Sequence, residues 1–271
     1  MRCIFCKGDS TGSRSVEHII PEALGNIEHI LPRGVVCDPC NNYFARKIEG
    51  PLLETQWFRH ARSRQIITNK RGFVPPMDGV FPGARTGAHV WLEGSRLTLG
   101  GRNEKEHRQL ETALLSGRAR SVYIPTIDVV DERLMSRFLA KVAIEILAHR
   151  LIHVAGWEEP LIGDIQLDPL RRFTRIGDRP SSWPFWRRRI YGEDDLRIEP
   201  RGGFQILHEF TLLYTQKLEL FAVLCLFGEE FAINFASPEI DSYTAWLSEN
   251  DGRSPLYLSD KLPIRSALAA E

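Results

Sequence analysis

Four of the chain's five cysteines stand in two knuckles, Cys3-x2-Cys6 and Cys37-x2-Cys40, with thirty residues between them. Paired knuckles of this kind let four thiolates converge tetrahedrally on one zinc ion. Such a site has no open coordination position, so its metal is structural and any chemistry must come from elsewhere. The insert between the knuckles supplies candidates: Glu17 and His18 stand side by side, and Asn41 directly follows the last cysteine. A carboxylate and an amide oxygen are hard donors suited to Mg²⁺, which keeps several waters and binds phosphate oxygens. An adjacent imidazole can take the proton of a water attacking phosphorus. Metal and base together are a sufficient kit for phosphodiester hydrolysis. Cys225 lies alone in an apolar run and reads as a small core residue.

The order Cys-x2-Cys, Glu-His-Ile-Ile-Pro-Glu-x-Leu-Gly, Val-Cys-x2-Cys-Asn-Asn-x-Phe over about residues 3–50 resembles the zinc-stabilised branch of the HNH endonucleases. The resemblance implies a ββα-metal core. It implies His18 as general base, Glu17 and Asn41 as ligands of a catalytic Mg²⁺ or Mn²⁺, and Cys3, Cys6, Cys37 and Cys40 as ligands of a structural Zn²⁺. The family's middle asparagine, which holds the loop orienting the histidine, is missing from its usual place, since Ile30 to Gly34 contains none. Asn26 or a backbone carbonyl is left to do that work.

Several elements must position these groups. Residues Arg14 to Ile19 suit a short strand that Pro21 ends, and Gly34-Val35-Val36 is its expected antiparallel partner. Asp38 is placed to cap a helix that has Pro39 in its first turn. Phe44, Ile48 and Leu52 then recur every four residues as a buried stripe, with Gly50-Pro51 expected to break or kink the helix.

Thirty-five basic and thirty-five acidic residues sum to zero, yet residues 1–72 hold eleven Lys/Arg against seven Asp/Glu. Neutrality therefore conceals a modestly basic segment. Trp57 to Gly72 carries Arg59, Arg62, Arg64, Lys70 and Arg71 with no acid. Arg59 and Arg62, with Arg46 and Lys47, are candidates to line the path of a phosphate backbone; a solvated helix face is the plainer explanation for any one of them.

Turn-rich residues after Gly72 suggest a division into a nuclease domain, 1–72, and an accessory domain, 73–271, for target recognition or assembly. Within the latter, two alternating runs around Gly94-Ser95 read as a hairpin. Asp131 to Ala155 has the periodicity of a long helix. On it Glu145, His149 and His153 are spaced by four and read as a polar edge rather than a metal stripe. Residues 204–214, 217–227 and 231–235 read as a three-stranded antiparallel meander, which gives an α+β class overall. The run Ser182 to Arg189 interleaves Trp183, Phe185 and Trp186 with Arg187 and Arg188, candidates to stack on bases and hold phosphates, unless the tryptophans simply anchor a loop.

The longest apolar run, Leu218 to Phe227, contains Glu219 and is too short to span a bilayer, and no apolar leader opens the chain, so a cytoplasmic location is expected. The expected activity is metal-dependent DNA cleavage, in restriction or defence. RNA as substrate and oligomer formation both stay open. The alternatives are a zinc-stabilised nucleic-acid-binding module without catalysis, and a C-terminal sensor controlling the nuclease.

Overall fold

The computed structural model describes residues 1–69, 71–83, 86–93, 96–125, 131–192, 195–199, 202–204, 208–256 and 264–266. Lys70 and the expected Gly94-Ser95 turn lie outside the described residues. In chain order the first elements are β1 (Glu17–His18), β2 (Ile30–Leu31), α1 (Asp38–Phe44), α2 (Gly50–Leu53) and α3 (Gln56–Arg64). A sheet of β3 (Met77–Phe81), β4 (Thr86–Glu93) and β5 (Arg96–Gly100) follows, then α4 (Glu104–Leu115) and the long α5 (Glu132–Leu151). After α6 (Glu158–Ile162) and α7 (Asp168–Arg175) come β6 (Phe185–Arg189), β7 (Asp195–Glu199), β8 (Gly202–Phe204), β9 (His208–Tyr214), β10 (Leu220–Leu226), β11 (Glu229–Asn234), α8 (Asp241–Glu249) and β12 (Ile264–Ser266).

The chain groups into two compact units. One comprises Met1–Glu22, Asn26–Glu49 and Glu132–Glu271; the other comprises Ala23–Gly25 and Gly50–Asp131. This differs from the division expected at residue 72. The cause is visible in the first unit, where α5 and α7 pack directly on the N-terminal knuckles and hairpin. Arg171 of α7 is 3 % exposed and donates from Nε to the Ile4 carbonyl inside the first knuckle at 2.8 Å, while Lys7 pairs with Asp168 at 2.5 Å.

The hairpin is shorter than expected and uses another partner. Glu17 pairs with Leu31 and His18 with Ile30. Gly34-Val35-Val36 does not pair with β1: the Val35 carbonyl accepts from Ile4 N at 3.0 Å, and Gly34 turns with φ +87°. That left-handed backbone fits a turn into the knuckle rather than a strand. Asp38 is the first residue of α1, behind an N-cap at Cys37, and does not cap it. Its carboxylate instead accepts from Arg14 N, Ser15 N and the Ser15 hydroxyl, which ties the approach to β1 onto the helix start. The Ser15 hydroxyl is the chief reason the Asp38 carboxyl is held below its ordinary range.

Phe44, Ile48 and Leu52 are all buried, as their spacing predicts. A single π turn over Ala45–Glu49 links α1 to α2 just ahead of Gly50-Pro51. Pro51 has no N–H to offer the carbonyl four residues back, and a π turn is one way a helix absorbs that loss.

In the first unit the sheet is antiparallel and four-stranded, in the order β6-β11-β10-β9, rather than the three-stranded meander expected. β6 is an added edge strand, Phe204 belongs to β8, and residues 205–207 lie outside the described residues. β10 is an almost unbroken apolar strand because both faces are covered. Phe221, Val223 and Cys225 cluster with Tyr243 and Leu247 of α8, and α5 packs against the sheet. In the second unit α4 packs Leu110 and Ala113 against Phe81 and Ala88 of the β3-β4-β5 sheet. No helix among the described residues is long and apolar enough to cross a membrane.

Candidate active site and zinc centre

Two tight turns bring the knuckles together, and the ligand sulfurs of Cys3, Cys6, Cys37 and Cys40 all lie within 4.8 Å of one another. Tetrahedral Zn–S bonds of about 2.3 Å place sulfurs about 3.8 Å apart; Cys6 and Cys37 stand at 3.6 Å. Their electrostatics also fit a cation. The hydrogen bond from Cys40 draws the Cys3 thiol down to about 4, while that same bond pushes Cys40 far up and burial lifts Cys37 to about 11. One sulfur can hold negative charge only while its neighbours keep their protons, and a divalent ion removes that conflict. The four thiols thus fit structural zinc.

The carbonyl of Val16, one residue before Glu17, accepts from Asn41 Nδ2 at 3.1 Å. The start of α1 and β1 are therefore joined by the side chain that the sequence marks as a ligand. With its nitrogen engaged on Val16, the Asn41 amide presents oxygen as its ligating atom. Glu17 is 5 % exposed, and its Oε2 is buried without a hydrogen-bond partner among the described residues. An orphaned carboxylate oxygen in such a place fits a hard cation. His18 is half-buried, and its Nδ1 is likewise buried without a partner among the described residues.

Asn26 resolves the missing middle asparagine. It is wholly buried and bridges the loop between the strands. Nδ2 donates to the carbonyls of Ile20 (2.8 Å) and His29 (3.0 Å), and Oδ1 accepts from Glu28 N (3.2 Å) and His29 N (2.9 Å). The His29 carbonyl also accepts from Ile19 N at 3.1 Å, so one amide side chain fixes the segment opposite His18.

Behind the hairpin lies a charge cluster that the sequence did not reveal. Lys141 of α5 is fully buried and pairs with Glu17 Oε1 (2.5 Å), Glu49 Oε1 (2.7 Å) and Glu145 Oε2 (3.1 Å). Its Nζ also donates to the His18 carbonyl at 3.1 Å. Burial opposes the charge on Lys141, but Glu145, Glu17 and Glu49 outweigh it and hold the ammonium protonated well beyond the ordinary lysine range. Burial, and secondarily the other carboxylates, pushes Glu17 and Glu145 up. Glu145 is therefore no solvated edge of an amphipathic helix: it is 0 % exposed. His149, one turn on, meets His29 with ring centroids 5.8 Å apart. Glu145 is thus interior, and the half-buried His149 packs toward the hairpin and β9, where it also meets Phe210.

The basic candidates separate. Arg46 and Lys47 are exposed on the π turn. Arg59 is paired with Asp78 at 2.8 Å and donates to the Pro76 carbonyl. Arg62 is only 5 % exposed, and burial lowers its pKa against the pull of Glu54, which puts it inside the second unit rather than along a phosphate path. Arg187 pairs with Glu229 at 2.5 Å and Arg188 with Glu230 at 2.7 Å across the β6–β11 pairing, so a phosphate would have to compete with those carboxylates. Trp183 is 1 % exposed and donates from Nε1 to the Asn234 carbonyl at 2.9 Å, an anchor in the core and not a stacking platform.

Metal knuckles, a short hairpin carrying Glu-His and a helix opening on Asn define a ββα-metal type of centre. Residues 3–56 match the family model described as HNH endonuclease, so the N-terminal part of the chain is an HNH domain bearing a cysteine metal site. No curated protein and no solved structure matches the chain.

Proposed function

We propose that the protein is a metal-dependent endonuclease that hydrolyses phosphodiester bonds in DNA. The observation that carries this reading is the junction of Asn41 with the carbonyl ahead of Glu17, beside a buried Glu17 oxygen that lacks a partner among the described residues. Glu17 and Asn41 would hold Mg²⁺ or Mn²⁺. When bound, that ion supplies Lewis-acid polarisation of the scissile phosphate and charge neutralisation at the leaving oxygen. His18 takes the proton of the attacking water as the new P–O bond forms and the bond to the leaving oxygen breaks. Arg46 and Lys47 are the exposed cations adjoining α1 that suit a phosphate backbone. Arg59, Arg187 and Arg188 would take part only by exchanging their carboxylate partners for phosphate. Residues 73–271 would then serve recognition or assembly, except for α5 and α7, which belong to the nuclease core.

One observation favours a second reading, a nucleic-acid-binding module without catalysis: Lys141 already occupies one oxygen of Glu17. The two separate on purified protein incubated with supercoiled plasmid in Mg²⁺ or Mn²⁺, beside EDTA and His18→Ala controls. Nicked or linear product that requires both the metal and His18 is expected. Binding without any cleavage that depends on His18 would leave the second reading.

A further inference from the structure

Lys141 is placed where no phosphate can reach it. Its ammonium lies within 3.1 Å of four oxygens, two of them in the HNH motif itself: Glu17 Oε1 and the carbonyl of His18. An apolar side chain of similar length could fill the same volume without removing a charge from water. What a cation adds is direction. It holds the Glu17 carboxylate by one oxygen and leaves the other, Oε2, without a partner among the described residues. It also fixes the backbone of the adjacent histidine from behind. The helix that carries it makes a second hold four and eight residues further on, where Glu145 completes the cluster and His149 packs against His29, next to the β2 residue that faces His18.

We propose that Lys141 is a positioning residue of the nuclease centre, orienting Glu17 toward the catalytic ion and His18 toward its water from a helix outside the HNH motif. This rests on the reading of Glu17 as metal ligand and His18 as base. It follows that the HNH segment is incomplete without α5, and that metal affinity is set in part from residue 141. Partners that orient a ligand in this way alter metal affinity by about 10–100-fold when removed.

The test uses the full-length, zinc-loaded protein and Mn²⁺ as the probe, with binding followed by the electron paramagnetic resonance of free Mn²⁺. Lys141→Met alone leaves three carboxyl groups facing an apolar side chain, so the informative variant is Lys141→Met with Glu145→Gln, which removes the lysine together with the fully buried carboxyl one turn away. Lys141→Arg keeps the cation and shifts its donors. Both are expected to retain zinc, with the Mn²⁺ dissociation constant raised about tenfold or more in the double variant and by less in the arginine variant. A folded double variant that binds Mn²⁺ as tightly as wild type overturns the proposal. Loss of the fold in both variants overturns it too, since Lys141 would then be structural only. His18→Ala, run beside them, is expected to bind Mn²⁺ normally and to cleave about 10²–10⁴-fold more slowly. A wild type whose Mn²⁺ binding depends on Lys141 but which cleaves no DNA would refute the nuclease reading and leave the positioning inference standing.

Discussion

Asn26→Ala tests whether one buried amide holds the loop that faces His18. The substitution deletes four hydrogen bonds, to Ile20 O, His29 O, Glu28 N and His29 N. A typical bond contributes about 1 kcal/mol net, and a polar group left buried and unsatisfied costs about 1–3 kcal/mol. Glu28 is exposed, so water can replace part of what its amide loses. The bond to the Ile20 carbonyl is buried and has no such substitute. The expected destabilisation is about 3–5 kcal/mol, a large share of the roughly 5–15 kcal/mol that keeps a domain folded. Asn26→Asp discriminates further. It keeps the acceptor for the two amides but turns a carboxylate oxygen on the carbonyls of Ile20 and His29, so it should be at least as damaging at neutral pH. Acidification, by giving that carboxyl a hydrogen to donate, should recover part of the loss. Urea unfolding of the zinc-loaded protein gives the free energies, and hydrogen exchange over residues 19–29 locates the effect. A loss below about 1 kcal/mol in both variants, with unchanged exchange at Glu28 and His29, would show that the backbone holds the loop unaided.

Zinc analysis should return one ion per chain, and Cys40→Ser or a strong chelator should remove it and unfold the N-terminal unit, as seen by circular dichroism. Replacing Arg46 and Lys47 by alanine should weaken DNA binding at all sequences and reduce the slope of log affinity against log salt by about 0.9 for each phosphate no longer neutralised. Arg187→Ala should leave that slope unchanged and should instead destabilise the β6–β11 pairing. Stability should also depend on pH through His149, whose pKa is lowered by burial first and then by His29, Arg150 and His153. The unfolded chain, titrating near about 6.5, binds that proton before the folded one does. The contribution is thus complete above this value and lost as pH falls through the folded pKa. His149, and buried His60, shifted down in the same way, should therefore pull urea midpoints down on acidification. Glu17 and Glu145, whose carboxyls are pushed up, contribute in the opposite direction. His149→Phe should remove the share of the drop that His149 supplies.

What the sequence disclosed is what short spacing encodes. Each knuckle is closed within four residues, and Glu17-His18 and Asn41 are fixed relative to the cysteines by a strand and a helix start. The Lys141 cluster was hidden because its members lie far apart in the chain, and a lysine four residues before a glutamate on a helix looks like a solvated pair. Burial, which the sequence does not record, turns that pair into the interior of the site. The same blindness affected Arg187 and Arg188: their partners Glu229 and Glu230 become visible only once β6 is known to pair with β11. Asn26 was one of two options for the loop, and its four bonds, not its position in the motif, decide in its favour. The β1 partner was misplaced because Gly34-Val35-Val36 has strand-like residues, but the Val35 carbonyl is taken by the first knuckle and its N–H by the turn at Pro32.

In the proposed function, cleavage depends above all on His18 as the group that accepts the proton of the attacking water. The most direct measurement of that role is the single-turnover cleavage rate of a labelled duplex by His18→Ala in saturating Mn²⁺, with and without added imidazole. The prediction is a fall of about 10²–10⁴-fold, partly restored by imidazole as its neutral form increases with pH. Cleavage by His18→Ala at the wild-type rate would contradict it.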